Sequence, residues 1–461
     1  MSTSLFSLND DVLSIILAHL STRDACQLTM TCRTGHALAM PQFLSEVKFL
    51  CISPRSAGRI RQFCAFMLAD PERRIPCLRT LRLLGPAFAL PESMGPDGSA
   101  NLRYECPCHL SRVLQQASRL RALHLWNAAA LLRASDGCCF PDALAGLPAL
   151  DVVHTHGRPW ACALLARTAS RPRALHLHAE RGLARPPTSD FAAGSHLPAL
   201  LSAALEELRL QQCVALAENL YHASVIFPRL RTLTLSGYCA ALASIASVFP
   251  ALRTLRLQDV TFAAGQPIAA WPVLEGLQTN GDLAMPLVGR VRRLELQVSL
   301  NVHERMPLFV ALLQRTTPAV LFCTVAHNRV AEWMKEVAGA APGLRYLHLA
   351  LQSLDARLVT SCAAALGDAP LKGVSFGYTA RLPFERDERW AASLALKVAA
   401  CVPSVQYVGF NVQGFSSVVY NDLDAVTWYN VDRAQRGAQV ERLTDWRAEQ
   451  VLGELLVAST D

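Results

Sequence analysis

The sequence predicts an α/β repeat array, with short parallel strands on an inner, concave face and helices outside, behind a short all-helical N-terminal module. Three observations predict it. First, Pro228-Arg229-Leu230-Arg231-Thr232-Leu233-Thr234-Leu235 returns 22 residues on as Pro250-Ala251-Leu252-Arg253-Thr254-Leu255-Arg256-Leu257, and Ala240–Phe249 between them is apolar and helix-forming. Second, the phrase L-x-x-L-x-L, with apolar substitutes, has its first position at Leu44, Leu78, Leu120, Leu150, Leu205, Leu230, Leu252, Leu274, Val291, Val320, Leu344, Leu371 and Val405, with a degenerate copy at Pro172–Leu177. Third, proline stands two residues before that position at Pro76, Pro148, Pro228, Pro250, Pro272, Pro318, Pro342 and Pro403. It ends the preceding helix there, because it cannot donate to the helix ladder and pushes its predecessor out of the α region. A strand–turn–helix unit cannot bury its apolar face alone and stacks on its neighbours.

Residues 1–45 differ from the rest. Asn9 is a good helix N-cap, with Asp10 and Asp11 in the first turn. Leu13, Ile16, Leu17 and Leu20 then form a helical stripe. Ser21 caps a second helix, with Asp24 placed as in a capping box, and Ala25, Leu28 and Cys32 continue its apolar face. Gly35 predicts a bend before a last short helical piece, and Pro41 its end. From Phe43 to Leu50 the residues alternate as a strand and open the repeats. So short a module barely makes a core, so its apolar surface needs the first repeats or a partner.

In the repeat region, 46–410, helices are expected at Arg55–Asp70, His109–Arg119, Ala161–Ala169, Val214–Ile226, Met306–Arg315, Arg329–Val337, Asp355–Leu366 and Arg386–Cys401. Gly85–Cys108 and Arg181–Pro198 read as long loops. Within 411–461, Val426–Val431 and Ala438–Leu443 suit a hairpin and Asp445–Leu456 a helix. Together they would cap the array, covering its last apolar face.

The repeated phrase resembles the leucine-rich repeat, irregular in period. Leu8, Asp11, Val12, Leu13, Ile16, Leu17, Leu20, Asp24 and Cys32-Arg33 fall on positions of a second pattern, and this stretch resembles the F-box. Asn9 stands where that pattern has proline, and Thr34-Gly35-His36 where it has tryptophan. The two modules in this order are a recognised pairing, common in fungal chains. The resemblance implies a substrate receptor of a Skp–cullin–F-box ubiquitin ligase. Leu8, Asp11, Val12, Leu13, Ile16, Leu17, Leu20 and Leu28 would face the Skp adaptor or hold the module together, and the repeats would hold a protein substrate. Such a chain supplies proximity and no covalent chemistry. The alternative is a leucine-rich-repeat scaffold without a ligase link.

Composition narrows the classes. The chain has 461 residues, 51% hydrophobic and 18% charged, enough for a large core and too apolar for disorder. It has no 18-residue apolar run and so no expected membrane span. The acidic start predicts no secretory signal. Fifteen scattered cysteines, Cys64, Cys162, Cys362 and Cys401 among them in apolar contexts, then read as reduced core thiols of a cytoplasmic or nuclear protein. The net charge of +7 rests on arginine, with only four lysines. Without basic runs or interleaved aromatics, nucleic acid is not an expected partner.

No phosphate-binding loop, dinucleotide fingerprint, nucleophile elbow or zincin motif occurs, so neither an enzyme nor a cofactor is expected. Cys106, Cys108 and His109 with Cys138 and Cys139 have zinc-ligand types, but their spacing is too short for the usual fingers. The candidate substrate surface follows from strand alternation. If the phrase leucines point inward, Leu233, Leu235, Leu255 and Leu257 among them, one open-face column reads Arg82, His124, His154, His176, Arg209, Thr234, Arg256, Gln278, Glu295. The next reads Leu84, Trp126, His156, His178, Gln211, Ser236, Gln258, Asn280, Gln297. Trp and Arg are enriched in binding hot spots. His124, Trp126, His154, His156, His176, His178, Arg209 and Arg256 are therefore the candidate substrate contacts, with no metal. The close histidines predict a patch sensitive to pH between about 5 and 7.

Overall fold

A computed structural model describes residues 5–50, 56–85, 107–126, 131, 139–156, 165, 167–179, 201–213, 225–237, 241–262, 265–299, 305–325, 330–351, 354–378, 388–411, 426–433 and 438–457. They fall into two compact units, Met1–Leu230 and Arg231–Asp461. Both are α/β, and both are built on a sheet whose strands follow chain order. The expected loops at Gly85–Cys108 and Arg181–Pro198, and most of the expected helices at Ala161–Ala169 and Val214–Ile226, lie outside the described residues.

The first unit opens with α1 (Asp10–Ala18), α2 (Thr22–Thr29) and α3 (Arg33–Ser45). Asn9 caps α1 by accepting from the Asp11 amide, and Ser21 caps α2 by accepting from the Asp24 amide. The Ser21 hydroxyl also donates to the Asp24 carboxylate at 2.6 Å. The third helix differs from expectation. It runs unbroken through Pro41, and the first strand starts at Glu46 rather than Phe43. Proline removes one ladder bond, while buried Ala39 and Leu44 hold the helix on both sides of it. Nor does Gly35 mark a bend. It lies in the first turn of α3, where a Cβ would stand 2.7 Å from the Leu28 carbonyl oxygen, so glycine is what lets α2 and α3 approach. Leu13, Leu17 and Ala39 form the core of the module, with Leu20, Leu28 and Leu38 against it. Gln42 of α3 donates to the Leu20 carbonyl beyond the end of α1.

Then come β1 (Glu46–Leu50), α4 (Ser56–Ala69), the short α5 (Pro71–Arg74), β2 (Thr80–Leu84), α6 (Cys108–Gln116), β3 (Ala122–Leu125), α7 (Phe140–Ala145), β4 (Val152–His156), β5 (Ala174–His178) and β6 (Glu207–Gln211). The six strands are parallel, each paired with the next. Phrase leucines such as Leu81, Leu83, Leu123, Leu125, Leu208 and Leu210 are buried on one face, and α4, α6 and α7 pack side by side. The helices α5 and α7 were not foreseen; four and six residues are too few to show a period.

In the second unit, β7 (Thr232–Ser236), α8 (Leu242–Val248), β8 (Thr254–Gln258), β9 (Ala269–Thr279) and β10 (Leu287–Ser299) lead on to α9 (Met306–Thr316) and β11 (Val320–Val325). There follow α10 (Val330–Ala340), β12 (Tyr346–Leu351), α11 (Ala356–Ala365), β13 (Gly373–Tyr378), α12 (Glu388–Cys401) and β14 (Tyr407–Asn411). From β7 to β14 the pairing is parallel. The hairpin β15 (Val426–Asp432) and β16 (Gln439–Arg442) is antiparallel, and α13 (Asp445–Val457) closes the described chain.

Leu233, Leu235, Leu255 and Leu257 are all buried, as alternation requires. One phrase was two residues out of register. Leu321 and Cys323 pair with Leu347 and Leu349, so that copy starts at Pro318 and not at Val320. A slip of two leaves the buried face unchanged because the strand period is two.

The open face of the second unit does not stay open. In β12 every residue is buried, and α13 covers Tyr346 at its start. Val451 and Leu455 of α13 pack with Val320, Phe322, Tyr346, Val426 and Trp428 in one cluster. The helix foreseen as part of a terminal cap thus covers a strand face. Next to Tyr346, Ser375 Oγ lies 2.7 Å from both Tyr346 Oη and His348 Nδ1, and burial lowers His348 to about 4.

Candidate functional site

Two surfaces, both in the first unit, collect all the candidate residues but Arg256. The first is on α1. The eight adaptor candidates, seven of them apolar, have to serve two faces of the N-terminal helices, and the fold divides them. Leu13 and Leu17 are 3% and 8% exposed and belong to the module core. Ile16, Leu20 and Leu28 are half-buried beside them. Leu8, Asp11 and Val12 face out, Leu8 at 40% and Val12 at 46% exposure. Sequence reasoning missed Ile15, which is 60% exposed, and Met30 at 67%. Ile15 is hidden in the run Val12-Leu13-Ser14-Ile15-Ile16-Leu17, where only the register of the outer face, one turn on from Val12, distinguishes it.

The second surface lies on β2–β6. Arg82, His124, His154, His176 and Arg209 occupy one register column, and His156 pairs with His178 in the next. The rings touch along and between the columns. His124 Nδ1 and His154 Nδ1 are 3.1 Å apart. His154 packs edge-on against His176 and stacks on His156, with centroids 5.3 and 4.9 Å apart. Trp126, 39% exposed, stacks on His156 at 4.0 Å, and His156 meets His178 at 4.6 Å. An ion pair flanks each side. Arg82 Nε lies 3.1 Å from Glu46 Oε1. Glu207 Oε1 accepts from Arg209 Nε at 2.6 Å and lies 3.2 Å from His176 Nε2.

The electrostatics follow from this packing. Burial, with Arg82 and His176 nearby, lowers His124 to about 4. Burial, then His156, His176, His124 and Arg209, lowers His154 to about 3. Burial, with His178 and His124, lowers His156 to about 4. The hydrogen bond from His176, reinforced by Arg209, holds Glu207 down to about 2. His124, His154 and His156 are therefore neutral between pH 5 and 7. The pH response expected of the patch in that window moves to more acid conditions, because desolvation, reinforced by the neighbouring cationic groups, disfavours the protonated rings. Neutral imidazoles offer one donor and one acceptor each, and with Trp126 they make an aromatic surface, in part stacked and in part edge-on, between two charged pairs. Among the described residues no three His, Cys, Asp or Glu side chains are arranged to hold a metal ion.

Arg256 belongs to the second unit, in a column with Thr234, Gln278 and Glu295. Among the described cysteines, Cys64, Cys323 and Cys362 are buried and free, and burial pushes their thiols up to about 12. Among the described residues no helix is long and apolar enough to cross a membrane. No family model matches the chain, and no curated protein matches it either.

Proposed function

We propose that this chain is the substrate receptor of a Skp–cullin–F-box ubiquitin ligase, acting in the cytoplasm or nucleus. The observation that carries the reading is the division of α1. A three-helix module with its own small core turns Leu8, Val12 and Ile15 outward, ahead of a parallel strand-and-helix repeat. An apolar row that the fold leaves exposed suits a partner that completes it. The Skp adaptor is that partner, and the open strand face with Trp126 and its histidines takes the protein to be modified. The chain contributes proximity between substrate and ligase rather than a reacting group.

The test is co-purification of the full chain with the Skp adaptor. The reading expects a stable complex that Val12→Asp with Ile15→Asp abolishes. A folded parent that fails to bind the adaptor would leave a repeat scaffold without a ligase link. The replacement of proline by Asn9 and of tryptophan by Thr34-Gly35-His36 is the feature that favours this second reading.

A further inference from the structure

The open face of the second unit contains a hollow of about 270 Å³ over β8, β9 and β10. Strand register explains why it is there. Thr254, Gly276 and Arg293 are partners across the three strands, and Arg256, Gln278 and Glu295 form the next column. Where its neighbours carry side chains, Gly276 has none, and the floor drops. The backbone does not demand glycine here, since a Cβ would meet nothing nearer than Thr254 Cγ2 at 3.5 Å, an ordinary contact.

The same column holds a second glycine whose gap is filled. Gly373 lies between Tyr346 and Tyr407, and a Cβ there would stand 2.6 Å from Leu455 Cδ1 of α13. The chain thus shows what such a gap accepts: a side chain from a segment lying across the strands. The gap at Gly276 is open, and its walls differ in chemistry. Arg256, Arg292 and Arg293 line it against two carboxylates, Glu275 and Glu295. Both carboxylates already face a guanidinium, Glu275 that of Arg253 at 2.8 Å and Glu295 that of Arg293 at 2.5 Å. With three arginines to two carboxylates the lining itself carries an excess of positive charge, and Leu456 gives it one apolar edge.

We propose that this hollow binds an acidic side chain, Asp or Glu, of a protein segment lying across β8–β10. Arg256 would hold the carboxylate through charge-assisted hydrogen bonds, and the gap at Gly276 admits its stem. The proposal rests on the receptor reading only in calling that segment part of a substrate.

The test is fluorescence anisotropy of the full chain with a short fluorescein-labelled peptide of Leu-Glu-Glu repeats, against a control with lysine in place of glutamate. The parent binds the acidic probe and not the basic one, more weakly as salt rises. Gly276→Val fills the gap with a residue that strands favour and weakens binding at least tenfold at an unchanged thermal midpoint. Arg256→Gln, on a half-buried side chain, does the same without touching the floor, and serves if the valine variant misfolds. Absence of binding by the parent, equal binding of the two probes, or undiminished binding by both variants overturns the proposal. Both variants keep whatever adaptor binding the parent has. A failed adaptor test beside the expected peptide result therefore removes the ligase link and leaves the hollow assigned.

Discussion

Changing Val12 and Ile15 together to aspartate separates binding from folding in the N-terminal module. Val12 is 46% and Ile15 60% exposed, so each has roughly half of its surface left to bury. Full burial of such a side chain is worth about 1.5–3 kcal/mol, and half of it about 1 kcal/mol. The pair forfeits about 2 kcal/mol of apolar burial. Two carboxylates left unpaired in the interface cost about 1 kcal/mol or more each, for a total of about 4 kcal/mol. That corresponds to roughly a thousandfold loss of affinity for the adaptor. Folding should barely respond, because outward substitutions stay within about 0.5 kcal/mol. Leu13→Ala is the opposite case. Leu13 is 3% exposed in the core, and its truncation should cost about 2–5 kcal/mol of stability. The assay pairs isothermal titration with the adaptor and thermal unfolding of the same samples. Undiminished adaptor affinity in the double variant would refute the assignment of this face. A collapse of the thermal midpoint in that variant would refute the division of α1 into two faces.

Further outcomes can be checked. Leu455→Ala empties the gap over Gly373 and should destabilise the second unit by about 2–5 kcal/mol, read by urea unfolding. Gly35→Ala places a methyl 2.7 Å from the Leu28 carbonyl oxygen and should lower the midpoint of the N-terminal module, whereas Gly58→Ala, with open space around it, should not. The three histidines held at about 4, 3 and 4 take up protons in the unfolded chain first. Their stability contribution is present above about pH 6.5, falls as pH drops through the window down to about 4, and is lost below about 3. After allowance for partial exposure and screening the slope should be roughly 1–2 kcal/mol per pH unit, and His154→Gln should flatten it in melts at pH 7 and 5. Trp126, His154 and His176 changed together to alanine should abolish capture of a substrate found by proximity labelling, while adaptor binding persists; unchanged capture by the folded variant would move the contact surface elsewhere.

The open-face columns were legible because alternation is strict: once the leucines of a phrase are placed, the histidine between them can face only the other way. That logic survived even the slip at Val320. It failed where one helix carries two apolar faces, since Val12, Leu13, Ile15 and Ile16 differ in position and not in type. It failed again at Gly35 and Pro41, whose usual roles as bend and stop gave way to close packing of α2 on α3 and burial of Leu44. The charge state of His154 was hidden for a different reason. Sequence shows which rings are neighbours but not how much water they lose, and desolvation is the larger effect. The helix Asp445–Val457 was readable as a helix, but an amphipathic face says only that something covers it, not what.

That helix has a consequence for how the second unit is made. Its contacts on Val320, Phe322 and Tyr346 join residues more than a hundred positions apart, whereas each strand pairs with its immediate successor. During synthesis the sheet can zip up strand by strand, while Phe322, Tyr346 and later Trp428 lie bare to solvent until residues 445–457 have emerged. The interval is one in which an aromatic strand face is open to wrong partners, and non-local contacts of this kind form late. Assembly of the second unit is therefore a two-stage process, with a locally built sheet that waits for a distant helix to seal it.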